Sequence, residues 1–331
     1  MSKILIIGQG VAGTLLAWEL RKRGIQFHIK DGKLPGASSI AAAGIINPVT
    51  GKRYVKSWRF DEFYPVARQT YQELEHVLET GLWEERPILR LLATSEETND
   101  WSVRCTQEDY ISYLSERDHA GAWGPLLKSG FHFGLIHQSG RVNLPLLTTQ
   151  FRRFASEKGF FQETSVAIES PESAFPDYDH VVFCEGWRGE NNPYFPNTPF
   201  RVSKGEALLL RFPGIPTDQL PDEMLKKTVL ISPLGNGTYW AGSTYRWAFP
   251  DTHPSEDGKA FLLHHLHEML KVPFDIVDQV AGIRPTMIDR RPVVLQSQIH
   301  PKVFMLNGLG TKGALLAPFF AQQLATQLAK S

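Results

Sequence analysis

The chain opens with an apolar, β-branched run, Lys3 to Ile7 (KILII), breaks at GQGVAG, and resumes as TLLAWELRKRG with helical apolar spacing and a closing glycine, Gly24. This strand, glycine turn and helix limit the possible folds more than any other feature. Gly8 permits a tight turn, Gly10 lets backbone approach a pyrophosphate, and Gly13 lets helix and strand pack closely. Val11 and Ala12 then lie at a helix N-terminus, where free N–H groups and partial positive charge favour phosphate. A second strand, Ile25 to Asp31, ends in an acid placed to accept hydrogen bonds from ribose hydroxyls. Together these segments form a βαβ unit suited to a dinucleotide.

Beyond this unit the pattern changes. Pro87 to Ala93 reads as a strand, Val202 to Tyr245 alternates as antiparallel strands, and Glu256 to Leu270 reads as a helix. Phe60 to Thr80 and Leu144 to Lys158 read as further helices, and the polar stretch Trp101 to Gly121 as an exposed one. Val181 to Gly186 (VVFCEG) is another buried strand ending in glycine. The chain closes with strand, glycine turn and long helix, KVFMLNGLGTKGALLAPFFAQQLATQLAK. Parallel βαβ material thus lies at the start, middle and end, with antiparallel material between. The expected fold class is α/β (α+β overall). A discontinuous Rossmann-like nucleotide-binding domain is expected over residues 1–80, 136–198 and 278–331, with an inserted, mostly antiparallel β-sheet substrate domain over 81–135 and 199–277.

Charge narrows the partners. Lys+Arg and Asp+Glu balance at 35 each in 331 residues, so no global basic field gathers nucleic acid or an anionic membrane. Cys105 and Cys184 stand far apart without CxxC spacing, which excludes a disulfide scaffold and argues against zinc. His264 and His267 in HHLHE read as a surface helix, and no metal is expected. No run approaches the roughly 20 apolar residues of a membrane span. The apolar run after Lys3 stops at glycine, unlike a signal peptide, and a cytoplasmic protein is expected. Nothing in the sequence bears on oligomeric state.

The glycine fingerprint serves NAD and FAD alike. After the second strand an NAD dehydrogenase continues with ordinary βα units. Here PGASSIAAAGIINPVTG follows instead, and its small residues and hydroxyls, Ser38, Ser39, Ala43 and Gly44 among them, let backbone lie along a longer ligand. Near the other end NGLGTKGALLAP places Gly308, Gly310 and Thr311 before a helix that begins near Gly313. Such a helix end carries roughly +0.5 charge. Facing an isoalloxazine N1–C2=O edge, it favours the reduced, anionic ring, and Lys312 can add a full charge there. A solvated lysine in a first helical turn is the plainer alternative.

Taken in order, GQGVAG with Asp31, GASSIAAAGI, GRVNLPLLTTQFRRFASEKG, VVFCEG, AGST, GIRPTMIDRRP and NGLGTKGALLAP resemble the D-amino-acid oxidase/glycine oxidase family of FAD-dependent amine oxidoreductases. The match runs over nearly the whole chain. GIINPVTGKR and NGLGTKG are also similar to the C-terminal oxidase domain of the bifunctional enzyme that processes carboxymethylaminomethyl-uridine in tRNA. The resemblance implies FAD, held noncovalently because no cysteine stands near the C-terminal glycine turn. It implies that Val166 lies beside the adenosine half, that Gly186 allows close approach to the cofactor, and that Arg284 pairs with a substrate carboxylate. A planar guanidinium suits that task through two parallel charge-assisted hydrogen bonds.

The implied reaction oxidises the C–N bond of an amino acid or secondary amine bearing a carboxylate, by hydride transfer to flavin N5. No protein base is needed if the amine arrives neutral. Two alternatives remain: a standalone oxidase of carboxymethylaminomethyl-uridine in tRNA, and an FAD-binding protein without turnover. The chain also departs from the family. Leu230 takes the place of an active-site tyrosine, and the oxygen-activating lysine of some relatives has no match, which leaves oxygen and other electron acceptors both open. In GKRYVKSW, Arg53 is expected to recognise an acidic substrate, although a solvated basic turn has the same look.

Overall fold

The computed structural model of the chain describes residues 3–166 and 175–330. Its first sheet has six strands in the order Phe161–Glu163, Gln26–Asp31, Lys3–Ile7, His180–Phe183, Val303–Asn307 and Val293–Gln296. The first four neighbouring pairs are parallel and the last is antiparallel. Alternation explains the continuous apolar run of the opening strand. Ile4 and Ile6 pack on one face with the helices Val11–Lys22 and Gly313–Leu328, while Leu5 and Ile7 join Phe183, Tyr194 and Met305 on the other. A strand buried on both faces has no polar side to show. The helix Leu144–Glu157 starts with Asn143, whose side chain accepts the Leu146 N–H at 3.1 Å, and with a proline in its first turn.

The second sheet has eight strands. Its order is Asp275–Arg284, Ser203–Arg211, Thr238–Gly242, Leu230–Gly235, Met224–Lys226, Ile88–Leu92, His132–Ile136 and Leu114–Arg117. Every neighbouring pair is antiparallel except Met224–Lys226 with Ile88–Leu92. The period of two again sorts the residues. Leu89, Leu91, Leu208, Leu210, Leu225 and Ile231 pack beneath the sheet with Leu262 and Leu266 of the helix Glu256–Met269. The opposite face turns toward the first sheet.

Two expectations change. The stretch expected as one exposed helix from Trp101 to Gly121 is a helix only to Cys105, then turns, then the strand Leu114–Arg117. Trp101 is the reason, because it is 1% exposed and lies over Gly134, where an added Cβ would stand 2.1 Å from its ring. The boundary expected at 277/278 cuts a single strand, Asp275–Arg284, which stays paired with Ser203–Arg211 to its last residue. The ladder shifts register by one residue at Val277 but resumes on both sides of it, so no linker lies there. Among the described residues no helix is long and apolar enough to cross a membrane.

Candidate active site

The carboxyl ends of the central parallel strands, two helix N-termini and one face of the eight-stranded sheet enclose a continuous cleft of about 510 Å³. Open α/β sheets bind ligands at this place, outside the carboxyl ends of their strands.

The first glycine turn forms one wall of it. Gly8, Gly10, Val11 and Ala12 line the cleft. Gly13 lies behind them, where a Cβ would meet the Gly8 carbonyl oxygen at 1.9 Å. It is the glycine of close helix–strand packing, as its position in the motif requires. Ser38, Ser39, Ala43 and Gly44 also line the cleft. Ser39 Oγ accepts the Val11 N–H at 3.0 Å, which ties the small-residue segment to the helix start.

Asp31 is held from three sides. Its carboxylate accepts the N–H groups of Gln9 at 2.7 Å and Lys33 at 2.8 Å, and Arg152 at 3.1 Å. Arg152 also donates to Gln9 Oε1 at 2.7 Å. A carboxylate offers about four lone-pair sites and three are taken, so one ribose hydroxyl can still be accepted. Arg152 was not legible as part of this site, because it reaches Asp31 from a helix distant in sequence. Val166 and Gly186 both line the cleft, and Gly186 has φ +61 with nothing within 4 Å of the place a Cβ would take.

Beside the first glycine turn, Gly310, Thr311, Lys312 and Gly313 of the last one line the cleft ahead of the helix Gly313–Leu328, and a Cβ on Gly313 would stand 3.3 Å from Val11 Cγ1. Gly308, expected at the cofactor, does not line it. A Cβ there would stand 2.6 Å from Met287 Cγ, so this glycine serves packing beneath the turn. Lys312 donates from Nζ to Ser57 Oγ at 2.9 Å. Burial, with Arg291 nearby, lowers its pKa below the ordinary lysine value. Its positive charge therefore gains when an anion forms beside it.

Arg284 ends the strand Asp275–Arg284 and faces the cleft. Its Nη2 donates to Ser243 Oγ at 2.6 Å and to the Thr244 carbonyl at 3.1 Å. Its Nη1 is buried and has no hydrogen-bond partner. Tyr245 lies against the guanidinium, with Cζ 5.0 Å from the ring centroid. Gly205 makes room for the group, since a Cβ there would stand 1.9 Å from Nη2. Burial lowers the Arg284 pKa, yet arginine keeps its charge in proteins. A fixed, charged, buried donor without a partner fits a carboxylate.

Arg53 does not join this group. It is exposed, lies outside the cleft lining, and its carbonyl accepts a hydrogen bond from Arg104 at 3.0 Å. The chain inverts at the next residue, Tyr54, with φ 51, and that inversion buries Tyr54 to 3% exposure. The inward side chain is the tyrosine. Two cations from the sheet, Arg90 and Lys226, reach the cleft as well. Leu230 lines it too, and Trp240 forms part of the wall, donating from Nε1 to the Ala41 carbonyl at 3.0 Å. Away from the cleft, His264, His265 and Glu268 bring donor atoms within 4.8 Å of one another, but Glu268 is already engaged by His265 and Lys227.

These residues fit an elongated dinucleotide with a flat ring at its far end. Small side chains line its path, Gly186 leaves open space, and two helix N-termini stand side by side along it. The profile of the FAD dependent oxidoreductase family (DAO) matches residues 3–327. The chain belongs to the DAO family. This DAO-family protein is therefore an FAD-dependent oxidoreductase. The structure of iminodiacetate oxidase from Chelativorans sp. BNC1 is similar, with TM-score 0.83 and 19% identity over 99% of this chain and 95% of that one. Glycine oxidase from Bacillus cereus matches with TM-score 0.81 and 20% identity, covering 100% of this chain and 95% of that one. The tRNA 5-methylaminomethyl-2-thiouridine biosynthesis bifunctional protein MnmC of Acinetobacter baylyi is 24% identical over 98% of this chain, which spans 52% of that protein.

Proposed function

We propose that this enzyme oxidises the C–N bond of an amino acid or secondary amine that carries a carboxylate. The observation that carries the reading is the unpartnered Nη1 of Arg284, buried in the cleft while Nη2 is fixed by Ser243 and Thr244. A substrate carboxylate gives that donor its partner and takes up a defined orientation. The names of two structurally similar enzymes, glycine oxidase and iminodiacetate oxidase, agree with a carboxylated amine.

Bound FAD supplies the hydride acceptor. The protein's part is placement. Arg284 holds the carboxylate, Trp240 and Leu230 close the wall and exclude water, and positioning of this kind carries much of the catalysis. Lys312 and the N-terminus of Gly313–Leu328 bring positive charge to the same end of the cleft. No side chain needs to accept a proton from a substrate that arrives as a neutral amine. In this reading the six-stranded sheet unit carries FAD and the eight-stranded sheet carries the substrate.

The similarity to MnmC favours a second reading, oxidation of a carboxymethylaminomethyl side chain on a tRNA uridine. Arg284 serves the same carboxylate there. The deciding measurement is anaerobic bleaching of the bound flavin by amino acids, N-alkyl amino acids and modified tRNA. Bleaching by a carboxylated small amine supports the first reading, and bleaching by modified tRNA alone supports the second. If none bleaches a protein that binds FAD, both readings fail.

A further inference from the structure

Arg90 and Lys226 occupy facing positions on neighbouring strands of the eight-stranded sheet. Both side chains line the cleft. Like charges set opposite one another across strands are destabilising, and these two are not free to swing apart. Arg90 Nη1 donates to the Lys227 carbonyl at 2.7 Å, and Lys226 Nζ donates to the Thr228 carbonyl at 2.6 Å. The nearest acid recorded for either is Glu97, 3.7 Å from Arg90 Nη2. Arg90 Nε at the same place is buried without a hydrogen-bond partner, and the buried Tyr54 hydroxyl has the Arg90 guanidinium beside it, a donor that leaves the O–H itself without an acceptor. Arg90 is 9% exposed and Tyr54 3%. Tyr54 holds its inward position from a left-handed backbone, with φ 51, a region that non-glycine residues seldom occupy.

We propose that Arg90, Lys226 and Tyr54 form a second oxyanion subsite, so that the substrate carries a distal carboxylate or phosphate besides the carboxylate held by Arg284. This deepens the carboxylated-amine reading and rests on it for the identity of the reacting group. Two carbonyl-anchored cations and a buried hydroxyl, all donors, converge where the acids nearby, Glu97 and Asp100, come from the helix Ser95–Cys105. An oxyanion relieves the repulsion between the cations and gives the unpaired donors a partner.

The sheet order sets the length of such a substrate. Arg284 and Arg90 stand on strands five steps apart. At about 4.8 Å per step this is roughly 24 Å along a flat sheet, before the two long side chains and the curl of the sheet shorten it. The second acid therefore sits several bonds beyond the nitrogen. A compact α-amino acid fills only the Arg284 end.

The test uses FAD-loaded enzyme and a series of N-(carboxyalkyl)glycines and N-(phosphonoalkyl)glycines of increasing chain length. Each is paired with the uncharged N-alkylglycine of equal length, and flavin bleaching is followed anaerobically. The expected result is a preference in kcat/KM for the acid-bearing arm of about tenfold or more, which is about 1.4 kcal/mol, peaking at one chain length. The better arm, carboxylate or phosphonate, names the source of the anion. In Lys226→Met the ratio of the paired substrates should fall toward one, with the change in KM, while Arg90→Lys should retain part of it.

A binding arm that needs no turnover separates the two proposals. Linear dicarboxylates should shift the flavin spectrum at lower concentration than monocarboxylates of equal length, and Lys226→Met should erase that difference. If no glycine derivative bleaches the flavin yet the dicarboxylate preference is present and sensitive to Lys226, the amine reading fails and the subsite stands. Equal binding of mono- and dicarboxylates by the parent enzyme, or a preference unchanged in Lys226→Met, overturns the subsite.

Discussion

Arg284 depends on a residue with no side chain. Gly205 faces its guanidinium so closely that an added Cβ would stand 1.9 Å from Nη2. The crowded atom is the far end of a long side chain, so Gly205→Ala should leave the fold and FAD content intact while turning Arg284 aside. The expected outcome is a rise in KM for the carboxylated substrate on the order of 10²-fold, the scale of a small misplacement in a positioned site. An unchanged KM in a variant with full FAD would remove Arg284 from substrate binding. Lys226 offers a pH signature. Burial first, and then the charge of Arg90, lower its pKa to about 8. The lysine is therefore charged below about pH 8 and loses its charge above it. Arg90 keeps its charge, and Glu97, Asp100 and Tyr54 are the other titratable groups placed here. Preference for a dianionic over a monoanionic ligand should hold up to about pH 8 and then decline without vanishing. Dicarboxylate titrations between pH 6.5 and pH 9.5 would show this, and a preference that rises with pH would contradict it.

At the scale of elements, sheet register carries the site. Arg90 pairs with Lys226 on one side and with Gly134 on the other. Trp101 covers that glycine, is 1% exposed, and donates from Nε1 to the Ser115 carbonyl at 3.1 Å. A large buried ring with a fixed hydrogen bond has little room to yield. Gly134→Ala should therefore cost about 1–3 kcal/mol of stability, the usual range for an overfilled core, seen as a lower denaturant midpoint. It should also weaken distal-acid preference, because the strand that moves carries Arg90. A neutral effect on stability would mean that the helix Ser95–Cys105 shifts freely with its tryptophan. Elements were largely legible where an apolar run or a helical period is uninterrupted, as in Lys3–Ile7 and Leu144–Glu157. The stretch after Cys105 was not, because Trp101 looks like a surface aromatic until the strand beneath it is known.

For the molecule as a whole, two sheets meet over one cleft, lined by residues of both. FAD should raise the thermal midpoint, by roughly 2.7 kcal/mol of stabilisation at a hundredfold excess over its Kd, and NAD at the same concentration should not. Protection by NAD and not by FAD would contradict the assignment. The dinucleotide half was legible from the chain alone because its parts are local. Gly8, Gly10 and Val11 act within one turn, Asp31 closes the next strand, and the last glycine turn leads straight into its helix. Backbone geometry over a few residues suffices for such a site. The substrate half depends on contacts between residues far apart in the chain. Arg53 and Tyr54 are neighbours, and a single inverted φ sends one to solvent and the other into the cleft. Arg90 and Lys226 become neighbours through strand pairing, and Arg284 gains its room from Gly205 across a ladder. Which side chains face the ligand follows from register and from turns that reverse a face, and neither leaves a local mark in the order of residues.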